Sequence, residues 1–511
     1  MDGVVQPNIS DTVMPVLHCP WLELSILIPL LGGIWVGREK DPDVARRQST
    51  LISGLTLLCT LLSVLDYVGL NVSAAHDSLD LTEKIFGQPI FMIDRVTSPL
   101  LPLTALIYLL TAVATLRTKI RRFSFAWTLI SESIVLATFS CQVPWLLVAL
   151  LVVGVIPPYL EIVRRGGSTR MFTLYMLLFV TLLILGWSFV DPGRMQQEQA
   201  LWAALPLLGA VLIRAGIFPV HSWVPDLFEQ ATFGTAMLFI APITAAYATI
   251  RLIVPICPEW VMQSMGLISL GTAIYAAGMA LVQIDARRFF AYLFLSHSAL
   301  VFVGLESATL LGLTGALCMW LSVSISLCGF GLTLRALEAR RGRLKLDTFQ
   351  GVYEHTPALA VCFLLTGLAS VGFPATFGFM GAELLVDGAV EAFPQLGIAV
   401  VVAAAINGIA VVQAYFRLFT GTRYNSTVAL TIGKRERFAV LTLAAIIIGL
   451  GVWPQPIVKS RYEAAEQVLK SRLPIAMPVR ASTEAEQLLA QETPKKLEAA
   501  TQVPMPERIS D

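Results

Sequence analysis

Charged side chains are scarce in this 511-residue chain: Asp, Glu, Lys and Arg together make up 14%, against about 25% in soluble globular proteins. A soluble chain of this length would split into several domains with polar surfaces. There is too little charge here to solvate them, which excludes both a soluble enzyme and a disordered protein. An excess of one sign is also missing. Lys and Arg number 36 and Asp and Glu 35, so no basic surplus exists to meet phosphates and no nucleic-acid partner is expected. The seven cysteines (19, 59, 141, 257, 318, 328 and 362) form no C-x-x-C, so neither a disulfide framework nor an iron–sulfur or zinc site is indicated. G-x-G-x-x-G, G-x-x-x-x-G-K-[ST] and metal-spaced His/Cys clusters are absent as well. No cofactor, no metal and no catalytic redox site are therefore expected in this chain.

Apolar residues dominate instead. They form 56% of the sequence, with a mean hydropathy of +0.73, and they fall into runs near the bilayer length of about 20 residues. Fourteen such runs are read, at 21–36, 49–70, 97–116, 123–141, 144–163, 171–190, 200–220, 234–254, 260–282, 289–306, 308–334, 357–382, 395–416 and 438–453. Residues 1–20 hold no Lys or Arg, so a cleavable signal is not expected and the first run is read as a retained span. The chain thus reads as an all-α polytopic membrane protein lying in the lipid bilayer.

Loop charge gives the orientation. Loops after odd-numbered spans carry 23 Lys and Arg residues, and those after even-numbered spans only Lys84, Arg95, Arg194 and Arg251. By the positive-inside rule both termini lie on the non-cytoplasmic side, in the inner (cytoplasmic) membrane. The organisation expected is an outside segment 1–20, three spans in 21–122, a core in 123–456, an amphipathic stretch 457–480 and a disordered, Glu/Gln/Pro/Lys-rich tail 481–511.

Ionisable groups inside spans are costly and mark function by default. Five stand out: Glu132 in the fourth span, Arg214 and His221 in and after the seventh, His297 in the tenth and Glu383 in the twelfth. Each also has a plain structural reading, as a group hydrogen-bonded between helices, and only together do they point to a pathway. Two spans carry a proline after an aromatic, Gly216-Ile217-Phe218-Pro219 and Gly372-Phe373-Pro374. A proline within a helix removes a hydrogen bond, and freed carbonyls at membrane depth must be buried or line a cavity. Pro219 and Pro374 therefore predict discontinuous seventh and twelfth helices. Being five spans apart, they fit two inverted five-helix repeats, spans 4–8 and 9–13.

These residues resemble a known family. His221-Ser222-Trp223-Val224-Pro225-Asp226-Leu227-Phe228-Glu229-Gln230-Ala231 is similar to the H-x-W-L-P-D-A-H-x-E-A-P-T signature of the antiporter-like, proton-conducting membrane subunits of respiratory complex I. Relatives of those subunits occur in multisubunit sodium/proton antiporters and membrane-bound hydrogenases. The stretch from Arg288 to Ser298 resembles the family's R-L-I-A-Y-S-S-x-S-H-x, and Gly372 to Glu383 its G-x-P-x-x-x-G-F-x-G-[KE]. Ile93-Asp94 is similar to the extended segment before its third span. The resemblance covers about residues 20–455, with Trp223, Pro225 and Asp226 in its most specific part. It implies fourteen core helices with two inverted five-helix repeats, and a mid-membrane row of protonatable groups.

Carried over residue by residue, Glu132 matches the family's fourth-span Glu and His297 its tenth-span His. Val152 stands where the family has a fifth-span Glu, Arg214 where it has a Lys, and no Lys occurs in residues 234–250, where the eighth span bears one. The twelfth-span Lys or Glu falls at Ala382, with Glu383 one position on, and Ala231-Thr232-Phe233 replaces Ala-Pro-Thr. The resemblance thus implies a divergent proton-translocating subunit of a complex I-like NADH:quinone oxidoreductase or related complex, with Glu132–Arg214 as its one ion pair. Its partners would be other membrane subunits. A membrane subunit of an inorganic-carbon uptake complex, paired with a soluble zinc-containing protein, stays open, as does a non-conducting structural subunit. A self-contained secondary transporter is disfavoured by the lack of a solute-binding polar cluster.

Overall fold

The computed structural model describes residues 15–472, apart from 80, 117–119, 121–122, 192, 194–197, 308 and 422–432. The tail 481–511 and most of segment 1–20 lie outside the described residues. Helices make up nearly all of the fold. In chain order they are α1 (Trp21–Val36), α2 (Pro42–Leu70), α3 (Leu81–Phe86), α4 (Leu100–Val113), α5 (Phe125–Ser140), α6 (Pro144–Val153) and α7 (Ile156–Arg164). There follow α8 (Arg170–Phe189), α9 (Leu201–Ala215), α10 (Trp223–Gln230), α11 (Phe233–Ile240) and α12 (Thr244–Ala248), the last running into a π-turn at Thr249–Ile253. The second half has α13 (Glu259–Val282), α14 (Ala286–Glu306), α15 (Leu310–Arg341), α16 (Pro357–Ser370), α17 (Phe377–Ala392), α18 (Pro394–Phe419), α19 (Lys434–Val452) and α20 (Gln455–Arg472). One antiparallel pair, β1 (Ala74–His76) and β2 (Met92–Asp94), sits before α4.

Eight of these segments are long and apolar enough to cross a membrane alone, several shorter apolar helices accompany them, and α19 meets α20 at an 80° bend. A helix apolar all round belongs in the core of a bundle or against lipid, and the segments divide accordingly. The α14 window is wholly buried, and those of α15 and Phe233–Ile253 nearly so, whereas α2, α8 and α18 leave about two thirds of their windows on the surface. Close helix contact needs small residues at the crossing. A Cβ on Gly315 of α15 would stand 2.5 Å from the Leu385 backbone nitrogen of α17.

Both proline-marked spans are broken, and in the same way. Gly216 takes a left-handed φ of +72°, its N–H donates to Ile213 O, and Ile217 N–H donates to Leu212 O. Gly372 has φ +88°, its N–H donates to Ala369 O, and Phe373 N–H donates to Leu368 O. Each is a Schellman ending, which only a residue tolerant of positive φ closes without strain. The prolines come after the helix has stopped, in the gaps before α10 and α17, instead of kinking a continuous helix. They stop the chain from resuming the helix at once.

The described part of the stretch 457–480 lies in α20, and residues 473–480 lie outside the described residues. Arg461 of α20 is buried and donates to the carbonyls of Arg95 (2.5 Å) and Val96 (3.1 Å), so the helix is tied to the turn after β2.

Candidate functional site

The α9–α10 break is held open by side chains. The Trp223 indole N–H donates to Ile213 O at 2.9 Å, a second donor to the carbonyl that already accepts from Gly216 N–H at the end of α9. Thr272 Oγ1 of α13 accepts from Phe218 N–H at 3.1 Å. This gives Trp223 of the signature a local purpose. Pro225 lies buried in the first turn of α10, and Asp226 beside it is half-buried with Oδ2 unpartnered. At the other end of α10, Thr232 caps α11 through Thr235 N–H, and Glu161 of α7 accepts from both Thr232 N–H (2.8 Å) and the Thr235 hydroxyl. A proline at position 232 would have no N–H to give Glu161.

Glu132, midway along α5, is fully buried; Ser53 Oγ of α2 donates to its Oε2 at 2.7 Å and its Oε1 has no partner. Arg214, in the last turn of α9, is also buried. Its guanidinium donates to Phe239 O at 3.0 Å and lies 4.0 Å from the Phe239 ring centroid, with Trp223 at 5.9 Å. The expected Glu132–Arg214 ion pair is therefore not formed. Each group takes a partner from its own surroundings, a hydroxyl for one and a carbonyl with two aromatic faces for the other. Tyr108 of α4 is in electrostatic reach of both, and its hydroxyl sits 2.9 Å from Ser131 Oγ.

His221 lies in the gap before α10, buried among the rings of Phe218, Tyr275 and Tyr292, with Nδ1 unpartnered. His297 sits mid-way along α14, buried, and its Nδ1 is 2.7 Å from Leu293 O. A carbonyl only accepts, so Nδ1 carries the hydrogen and Nε2 is the open atom, unpartnered. The flanking serines make no hydrogen bond to the ring. Ser296 Oγ donates to Ala273 O and accepts from Asn407 Nδ2 of α18 (both 2.8 Å), and Ser298 donates to Leu295 O. Glu383 stands apart, on the exposed face of α17. The one-position offset from Ala382 turns it about 100° away from the buried set.

Three features escaped the sequence reading. Glu306 closes α14 as a second fully buried carboxyl, bonded by Ser269 at 2.9 Å. It and Asn407 were detectable as lone polar residues in apolar runs. The third, an ion pair between buried Asp94 and Arg251, joins residues 157 positions apart and had no local signal. Burial alone would raise the Asp94 carboxyl. The Arg251 guanidinium and the Thr97 N–H and hydroxyl outweigh this and hold it below the usual carboxylate range. Among the described residues no group of His, Cys, Asp and Glu is arranged to hold a metal ion.

Apolar spans, broken helices and isolated ionisable groups in the core define a membrane-spanning protein of the antiporter-like class. Residues 159–407 match the family model described as NADH:quinone oxidoreductase/Mrp antiporter, TM. The chain is 26% identical to NAD(P)H-quinone oxidoreductase chain 4 of a Synechococcus species, over 92% of this chain and 93% of that one. Its fold is shared with a chain of the Mrp complex from Dietzia (TM-score 0.77, 17% identity, 89% of this chain and 99% of that one). It is likewise shared with a chain of respiratory complex I from Thermus thermophilus (TM-score 0.77, 22% identity, 89% and 100%). Residues 159–407 thus carry the transmembrane region of the family that complex I and Mrp antiporters share, and the fold around it is that of their antiporter-like chains.

Proposed function

We propose that this chain is a proton-translocating membrane subunit of a complex I-like NADH:quinone oxidoreductase or a related multisubunit complex. The observation that carries this reading is the set of buried ionisable groups, Glu132, Arg214, His221 and His297, on helices α5, α9 and α14 and in the α9–α10 gap. On this reading the fourteen spans are α1, α2, α4, α5, α6–α7, α8, α9–α10, α11 to residue 253, α13, α14, α15, α16–α17, α18 and α19. Spans 4–8 and 9–13 form the two inverted repeats, and the matching Schellman endings of α9 and α16 support that pairing. Both termini face the non-cytoplasmic side of the inner membrane, and the chain holds no cofactor of its own. The curated relative above is named for an oxidoreductase that uses NAD(P)H and a quinone, and the solved chains lie within multisubunit assemblies, which supports other membrane subunits as partners.

The chemistry assigns different tasks to the charged groups. Arg214 stays protonated, so it supplies a fixed positive potential and carries no proton. Glu132 exchanges its proton at Oε1, the oxygen that Ser53 leaves free. His297 holds Nδ1–H on Leu293 O, so it takes up and gives back a proton at Nε2. Glu383, on an exposed face at membrane depth, needs a cover that lipid does not provide, and a neighbouring subunit supplies it.

The test is proton flux in vesicles that contain the whole complex, with assembly checked by native gel. Glu132→Gln and His297→Ala should each assemble normally and cut flux about a hundredfold or more. His297→Gln keeps a donor and an acceptor and should retain partial flux only if water carries the proton past it. Wild-type flux in both correctly assembled variants would favour a structural subunit instead.

A further inference from the structure

The buried carboxyl of Glu306 has no part in the mechanism above. Ser269 of α13 holds Oε2, while Oε1 is buried without a partner. Against it lies a cavity of about 270 Å3 at the start of α13, the ends of α14 and α17 and the start of α18. The lining includes Trp260, Gln263, Leu267, Val303, Leu385 and Phe393, and no Lys or Arg. Trp260, Leu267 and Phe393 are each more than half exposed, so the cavity opens to the surface. On the proposed topology that surface is the non-cytoplasmic one.

The surroundings leave the carboxyl electrostatically alone. Gln263 is neutral and donates to Glu259, and Glu259, Asp387 and Glu391, the ionisable groups nearby on α13 and α17, are exposed. On α14 itself His297 is nine residues away, about 13 Å along the axis. Burying an unpaired charge is expensive, so the carboxyl changes state by exchanging a proton with water that enters the cavity, which has room for several molecules. Inward, a line of polar groups follows the α13–α14 seam. Ser269 is one turn from Ala273, whose carbonyl accepts from Ser296, the neighbour of His297.

We propose that Glu306 is a proton-exchange site by which the chain passes protons to or from its non-cytoplasmic face through this cavity. The proposal rests on the proton-translocation reading, and the experiment separates the two. Intact wild-type complex in vesicles is treated with dicyclohexylcarbodiimide, an apolar reagent suited to such a cavity. A protonated carboxyl gives its proton to one carbodiimide nitrogen while its oxygen bonds to the central carbon. The O-acylisourea then rearranges to an N-acylurea, so the whole reagent is retained and nothing leaves. Peptide mass spectrometry should find the adduct on Glu306, at a rate that falls as pH rises. Glu306 left unmodified under conditions that modify Glu383 or Asp387 would overturn the proposal.

Flux supplies the second arm. Glu306→Gln should assemble and lose about tenfold or more of the flux, and Glu306→Asp, which keeps an ionisable carboxyl, should recover part of it. Wild-type flux in an assembled Glu306→Gln complex would also overturn the proposal. If the wild-type complex itself carries no proton flux, the translocation reading fails, while the labelling still decides whether Glu306 exchanges protons.

Discussion

Trp223→Phe isolates the device that holds the α9–α10 break. The indole N–H is the side-chain hydrogen-bond donor to Ile213 O, and both groups are buried. Phenylalanine keeps an aromatic ring for the edge contacts with Phe172 and Phe239 but leaves that carbonyl with the Gly216 N–H as its one donor, at about 1 kcal/mol. The smaller ring also leaves a gap, worth about another 1 kcal/mol. The sum is about 2 kcal/mol, which should lower the apparent thermal midpoint of the detergent-solubilised complex by about 4 °C, at about 2 °C per kcal/mol for a large chain. Arg214 keeps its closer aromatic contact, Phe239 at 4.0 Å, so flux well below the midpoint should change far less than in Glu132→Gln. Trp320→Phe serves as a control, because its indole N–H bonds Pro242 O at the same 2.9 Å, a carbonyl that is not part of the α9–α10 break. An unchanged midpoint in Trp223→Phe beside a lowered one in Trp320→Phe would refute the assignment of Trp223 as the cap of α9.

Three further outcomes are expected. Asp94 is held low by Arg251, so its stabilising contribution is present above the unfolded carboxylate value near pH 4 and fades as pH falls through the lower folded value. Thermal midpoints from pH 7 to pH 3 should therefore fall on the acid side, while Asp94→Asn should lose about 3–5 kcal/mol at pH 7 and show a flatter acid limb; parallel curves would refute this. Gly315→Ala would press a methyl against the Leu385 backbone and should cost about 1–3 kcal/mol, read as reduced yield and a lower midpoint, and an unaffected variant would mean that α15 and α17 separate freely. Single cysteines at Gly166 and Gly342 should label from one side of the membrane and a cysteine at Ser10 from the other, and labelling of Ser10 and Gly166 from the same side would sink the proposed orientation.

Much of the fold was legible locally, because span and break depend on nearby residues. Apolar runs of bilayer length became helices. The Gly–Phe–Pro pattern marked both helix endings, since a left-handed glycine followed by a proline stops a helix whatever surrounds it. Glu132, Arg214 and His297 were visible as polar interruptions of apolar runs, and all three are buried.

Which partner each of these groups takes was a different matter. Sequence position could not tell that Ser53, 79 residues away, would reach Glu132 before Arg214 did, or that Arg214 would turn to Phe239. The Ser296 hydroxyl was free to bond the imidazole beside it, but α13 and α18 offered the Ala273 carbonyl and the Asn407 amide. A one-residue offset on α17 put Glu383 outside the buried set, and residues 157 apart met as Asp94 and Arg251. Hydrogen bonds and ion pairs act over a few ångströms. Where the chain runs is written in the order of its apolar residues, but which side chains come within that range depends on how the helices rotate and pack against one another.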